Sequence, residues 1–193
     1  MVGFARWLAV AALMASAPLW AQVTVSGVKY DEAAELAGSK LALNGAGLRT
    51  KLFFKVYTAG LYLPRKTAAA EEALASAGPK RISLTLLREV DAAEFAQAFT
   101  KGLDDNTDQA TLAQLAPSVQ RMNQIFTDTK KLVPGDTVAI EWMPGTGTVI
   151  RLKGAAMGEP FKDPAFFVAM LRIWLGTKPA DATLKDALLG KAG

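Results

Sequence analysis

The chain contains no histidine and no cysteine, and these absences remove more chemistry than any residue present adds. Without cysteine there is no disulfide and no thiolate nucleophile or metal ligand, so the fold must be held by its core alone. Without histidine there is no Ser-His-Asp triad, no Cys-His pair, no imidazole zinc site and no proximal ligand for haem. Any catalysis is confined to Arg, Lys, Tyr, Ser, Thr and carboxylates. Blocks of like charge are missing as well. The formal net charge is only +4, with Lys29, Lys51, Lys80, Arg121, Lys153 and Lys185 dispersed, and that scatter argues against a nucleic acid partner. Nor is there an apolar run of the roughly 20 residues that a membrane-spanning helix needs. The run from Trp7 to Met14 is short, Ser16 and Pro18 interrupt its continuation, Arg6 precedes it and Trp20-Ala21 ends it. Residues 1–21 therefore read as a secretory signal peptide cut after Ala21, which predicts a periplasmic or otherwise secreted protein with no transmembrane span once the leader is gone. An uncleaved anchor is the alternative.

The remainder, residues 22–193, shows no repeat, linker or low-complexity block and reads as one domain. A chain of 193 residues can bury roughly 70% of its extended surface, enough for one substantial core. Val23 to Tyr30 alternates as a strand, with Gly27 as a weak point or bulge. Asp31 to Ala37 has the composition of a short helical turn, Leu41 to Asn44 reads as a second strand, and Gly45-Ala46-Gly47 as a turn. That glycine pair is no dinucleotide fingerprint, because the third glycine is missing and a strand comes next where a helix should.

The run from Asn44 to Pro64 organises the rest. Thr50 to Leu63 reads as one long strand, with Leu52, Phe54, Val56, Thr58, Gly60 and Tyr62 on one face. Phe53, Lys55, Tyr57, Ala59, Leu61 and Leu63 occupy the other. A strand apolar on both faces needs cover on both. Downstream, Thr67 to Ala77 is a helix and Arg81 to Arg88 an alternating strand. Asp91 with Glu94 is a capping pattern opening a helix that carries Phe95, Phe99 and Leu103. A further helical stripe runs from Leu112 to Phe126, where Pro117 predicts a kink or a break into two helices. Thr137 to Trp142 and Thr148 to Lys153 form a hairpin, across which Glu141 can meet Arg151 or Lys153. Asp163-Pro164 starts an apolar helix through Leu175, and Pro179 to Leu189 gives the last one. The fold class is α+β, an antiparallel sheet covered by a helical layer. Asp104, Asp105 and Asp108 cluster between two helices, but carboxylates there are explained by caps and solvated turns, so no metal and no cofactor is expected.

Two motifs carry a resemblance. Gly45, Gly47, Arg49, Phe53 or Phe54, Lys55, Gly60, Tyr62 and Leu63 match the order of the strand pair of the chalcone isomerase family. Trp174 to Pro179 and Leu184 to Gly190 are similar to the C-terminal run of its bacterial exported branch. The resemblance covers nearly all of the chain after the leader and implies the family's open-faced β-sandwich. In isomerases of the family, it implies, a phenolate attacks an enone and an arginine after the Gly-x-Gly pair holds the developing enolate. Arg49 matches that arginine, and a guanidinium's permanent charge and planar fork suit an enolate or a carboxylate. The family's strand threonine falls on Tyr57, with Thr58 adjacent on the opposite face. Its helix tyrosine falls on Phe95, its asparagine on Gly102 and its late polar residue on Ile173. The hydroxyl and amide groups that would order protons are thus replaced.

The resemblance also implies a second use, since several relatives without isomerase activity bind fatty acids through the arginine and a tyrosine. The resulting expectation is an exported, non-catalytic protein that holds a small apolar or anionic ligand such as a fatty acid, with Arg49 as anchor. Tyr57, Thr58, Tyr62 and Phe95 are the other candidate ligand-binding residues. The alternatives are an intramolecular lyase acting on a planar enone through Arg49, and an envelope interaction module with no small ligand.

Overall fold

A computed structural model describes residues 22–191, so the expected leader lies outside the described residues. Two hairpins open the chain. Gln22–Val25 (β1) and Val28–Asp31 (β2) pair across Ser26-Gly27, and Ala33–Leu36 (β3) pairs with Ser39–Lys51 (β4) across Ala37-Gly38. Gly27 is thus the tip of a hairpin, not a weak point inside one strand. The Ala/Glu-rich segment at 33–36 is extended, not helical. Propensity is a weak prior, and here the ladder with β4 and the burial of Leu36 override it.

β4 continues through Gly45-Ala46-Gly47 without turning and pairs with Phe54–Leu63 (β5). The long strand expected over 50–63 is therefore two strands, with the reversal at Leu52-Phe53. The glycines serve packing instead. A methyl on Gly45 would lie 2.1 Å from the Ala187 carbonyl oxygen, and one on Gly47 would lie 2.5 Å from the Ala187 Cβ. Only bare backbone lets the last helix, Ala182–Leu188, approach this strand so closely.

After the short helix Ala70–Ala75 (α1), Lys80–Leu86 (β6) pairs with β5. Val90–Asp91 (β7) leads into Ala92–Asn106 (α2), whose N-terminal amides at Ala93 and Glu94 are accepted by the Asp91 side chain as its capping pattern predicts. Gln109–Thr127 (α3) runs unbroken through Pro117. The proline and Ala113, whose carbonyl loses its partner, both face solvent, so water satisfies the freed group and no break is needed. Lys131–Leu132 (β8) pairs with β7, and Thr137–Met143 (β9) with Gly147–Leu152 (β10), which Ala155–Ala156 (β11) extends. Pro164–Leu175 (α4), capped by Asp163, and Ala182–Leu188 (α5) complete the chain.

The main sheet has seven antiparallel strands in the order β11-β10-β9-β6-β5-β4-β3. One face lies under α2, α3, α4 and α5. There Tyr57, Leu61, Ile82, Leu84, Val138, Ile140 and Ile150 pack with Phe95, Phe99, Phe126, Phe166 and Trp174 into one core. The other face carries a smaller cluster of Tyr30, Leu36, Leu41, Leu43 and Tyr62. On that same face Glu141, only 2% exposed, is held by Arg81 at 2.7 Å and Arg151 at 2.8 Å. Of the two partners predicted for Glu141, Arg151 is taken and Lys153 pairs with Asp136. No helix among the described residues is long and apolar enough to cross a membrane.

Candidate functional site

Strand alternation alone would put Arg49 on the face occupied by Leu41 and Leu43. A bulge at Asn44 prevents this. The register steps from Leu43↔Tyr62 to Gly45↔Leu61, so Asn44 is the extra residue and every odd position after it moves to the helical face. Asn44 itself is 6% exposed and fully engaged. Its amide nitrogen donates to the carbonyls of Leu188, at 2.7 Å, and Thr67, at 3.0 Å, and its oxygen accepts from the Thr67 backbone amide at 2.7 Å. Gly45, Gly47 and Arg49 then line up under α5, and Arg49 emerges just past that helix's N-terminal end, where Asp181 accepts from the Thr50 amide.

There Arg49 stands opposite Tyr57 in the β4–β5 ladder, with its guanidinium carbon 5.4 Å from the centre of the tyrosine ring. Tyr57 is 1% exposed, and its hydroxyl accepts from Trp174 Nε1 at 2.8 Å. Burial pushes the Tyr57 hydroxyl above its ordinary pKa, while the Arg49 charge and the Trp174 hydrogen bond offset part of that rise. The phenol is therefore neutral at any ordinary pH and keeps its proton to donate. Phe95 closes the inner wall, edge-on to Tyr57 at 6.3 Å and packed on Phe99 and Phe126.

The Nε of Arg49 is buried and has no hydrogen-bond partner. Among the described residues no carboxylate lies within ion-pair distance of its guanidinium, whereas Glu89 is paired with Lys131 and Asp105 with Lys101. Asp105 and Asp108 are accounted for in the same way, Asp108 capping α3 through the Thr111 amide. The cation faces two adjoining clefts that share Arg49, Lys51, Glu94 and Ala98. One, of about 340 Å³, runs between the β4–β5 hairpin and the start of α2 and includes Leu52, Phe54, Val56 and Phe95. The other, of about 610 Å³, continues along α2 to Gly102, Ile173 and Pro179-Ala180. Such volumes suit a small organic molecule.

A model of the chalcone isomerase-like family matches residues 22–190. The chain belongs to the chalcone isomerase-like family. Among solved structures, the crystal structure of a fatty-acid binding protein from Arabidopsis thaliana superposes with a TM-score of 0.68 at 16% sequence identity, covering 89% of this chain and 98% of that one. At that identity the likeness is one of fold. No curated protein matches by sequence.

Within this family fold, the positions matched by the resemblance converge. Arg49, Tyr57, Phe95, Gly102 and Ile173 come from β4, β5, α2 and α4, and all meet at the same cleft or its inner wall. Gly102 and Ile173 fill one another's space, for a methyl on Gly102 would sit 2.8 Å from Ile173 Cγ2. Where an asparagine and a polar side chain were implied, this chain has a tight apolar helix crossing. Thr58 and Tyr62 do not join the group. They lie on the opposite face of β5, where the Tyr30 and Thr58 hydroxyls are 2.8 Å apart and Tyr62 packs in the smaller cluster. Sequence reasoning missed Trp174 as the hydrogen-bond partner of Tyr57. An indole within an otherwise apolar helix was the available signal, since a buried Trp N–H requires an acceptor. It also missed Lys51, because a strand read as starting at Thr50 hides the alternation of Lys51 with Arg49.

Proposed function

We propose that this protein binds a small apolar molecule with an anionic head, of the fatty-acid type, and that Arg49 anchors the head. The observation that carries this reading is the partly buried guanidinium that faces a cleft of mixed polar and apolar walls and lacks a carboxylate partner within ion-pair distance. Burying a cation without compensation is costly, so an anion entering the cleft would gain a charge-assisted, bidentate contact. The Tyr57 hydroxyl stands beside it as a neutral donor, and Val56, Phe95, Ala98 and Ile173 offer apolar surface to a tail. The fatty-acid binding function named for the Arabidopsis protein of the same fold is consistent with this use.

Turnover of an enone has less support. Phe95, Gly102 and Ile173 supply none of the hydroxyl or amide groups that the resemblance implied at those positions for relaying protons, and the Tyr57 phenol is held protonated. Binding, not isomerisation, is the role proposed. Export is part of the same proposal, supported by the leader-like composition of residues 1–21 and by the start of the family match at residue 22. An intact mass lacking those 21 residues is the expected sign of it.

The test is native mass spectrometry of the protein as its host produces it, with denaturing extraction to identify what it carries, beside Arg49→Ala. Wild type is expected to carry or take up a long-chain carboxylate that the variant does not. Equal occupancy of the two proteins, or empty wild type that refuses fatty acids, rejects the proposal.

A further inference from the structure

The tip of the β4–β5 hairpin keeps most of its apolar bulk outside the core. Lys51 pairs with Phe54, so Leu52 and Phe53 alone make the turn. Leu52 has a φ of 56°, a left-handed conformation that favours glycine or asparagine and strains a bulky side chain. A water-facing turn with positive φ at its first central position ordinarily has glycine there and a polar residue beside it. Here Leu52, Phe53 and Phe54 are 82%, 96% and 58% exposed. Three adjacent large apolar side chains thus project from the protein, one of them in an unfavourable backbone conformation, and none of them belongs to either hydrophobic core cluster.

Cations collar this wedge. Lys51 and Lys55 flank it and are exposed, and the Arg88 guanidinium lies over the Phe54 ring at 4.8 Å. Of the neighbouring acids, Glu89 is held by Lys131 at 2.7 Å and Asp91 caps α2, while Glu94 faces the cleft behind the tip.

We infer that this hairpin tip docks the protein on an anionic lipid surface. Leu52, Phe53 and Phe54 enter the acyl boundary, while Lys51, Lys55 and Arg88 meet lipid phosphates. The shape favours a bilayer over a folded partner. A stable protein interface needs roughly 800 Å² from each side, more than a convex three-residue tip supplies, whereas a bilayer rewards insertion depth and basic charge. A paired hairpin is already ordered, so docking carries no folding cost. Because Leu52 and Phe54 also line the mouth of the Arg49 cleft, docking would set that mouth at the lipid surface, although vesicle binding does not depend on the ligand reading.

The test is flotation of the protein, as purified from its host, with vesicles of phosphatidylcholine alone or with about one-third phosphatidylglycerol. Wild type is expected to float with the anionic vesicles. Leu52→Gly combined with Phe53→Asn should weaken that association at least about tenfold. The same change should hold or raise the thermal midpoint, because glycine at the positive-φ position 52 and a polar residue at 53 suit the turn, which separates lost docking from lost folding. Lys51→Gln and Lys55→Gln should each weaken it about fivefold, without creating affinity for neutral vesicles. The inference is overturned if wild type floats with neither vesicle, or if the Gly-Asn variant floats as wild type does. It is also overturned if light scattering shows that the tip joins two copies in solution and leaves vesicles unbound.

Discussion

The two faces of the central strand β5 solve the burial of a tyrosine in different ways. On one face the Tyr30 and Thr58 hydroxyls are paired at 2.8 Å, and the nearby Glu141 is held by two arginines. On the other, Tyr57 accepts from Trp174, but the neighbouring cation, Arg49, has a buried Nε with no partner. Most buried polar groups are satisfied within the fold, because an unmet one costs about 1–3 kcal/mol. Among the described residues Thr107, Thr148 and Arg172 also carry a buried polar atom without a partner, but Arg49 is the one that lines the two clefts. The contrast teaches where a ligand belongs more directly than the count of aromatic residues, most of which are plain core.

The largest test of this contrast is Asn44→Ala. The bulge at Asn44 sends Arg49 to the helical face, and the substitution removes three side-chain hydrogen bonds that join β4 to α5 and to Thr67. It is expected to lower unfolding stability in urea by about 3 kcal/mol. A loss below about 1 kcal/mol would mean that the bulge is set by the glycines alone.

A pH titration should give the next largest effect. All three tyrosines, Tyr30, Tyr57 and Tyr62, have pKa values raised chiefly by burial, that of Tyr62 to about 12. The unfolded chain releases these protons near pH 10 while the folded chain keeps them. Their contribution to stability is therefore constant below about pH 10 and falls as pH rises through the folded-state values. Phenolate absorbance should be nearly absent from the native protein at pH 10 and should appear together with unfolding at higher pH. A normal phenolate titration in protein that remains folded would contradict the burial of these hydroxyls.

The smallest effect sharpens the comparison most. Tyr30→Phe leaves Thr58 without its hydroxyl partner and is expected to cost about 1 kcal/mol. Arg49→Met removes a cation whose Nε has no partner and whose contact in the fold is with Tyr57, and stability should stay within about 0.5 kcal/mol of wild type or rise. If thermal denaturation shows Arg49→Met losing as much as Tyr30→Phe, Arg49 is a structural residue and the two faces are alike.

The sequence by itself determined the elements that rest on local chemistry. Asp91, Asp108 and Asp163 announced helix starts, alternation marked the strands of the sheet, and the order Gly45, Gly47, Arg49 with the C-terminal tryptophan motif pointed to the family. Those signals survive because caps and periodicity act over a few residues. Contacts between distant segments decided the rest. Residues 33–36 became a strand through pairing with β4, and the glycines proved to be seats for α5 although in sequence they look like a turn. A turn of Leu-Phe carries none of the usual turn residues, so the reversal at 52–53 was invisible in the sequence. Alternation also cannot show that Asn44 is a bulge, because the bulge is fixed by its hydrogen bonds to Leu188 and Thr67. That one extra residue places Arg49 beside Tyr57 and Phe95, with Thr58 and Tyr62 on the far side of the sheet, a choice made by tertiary packing alone.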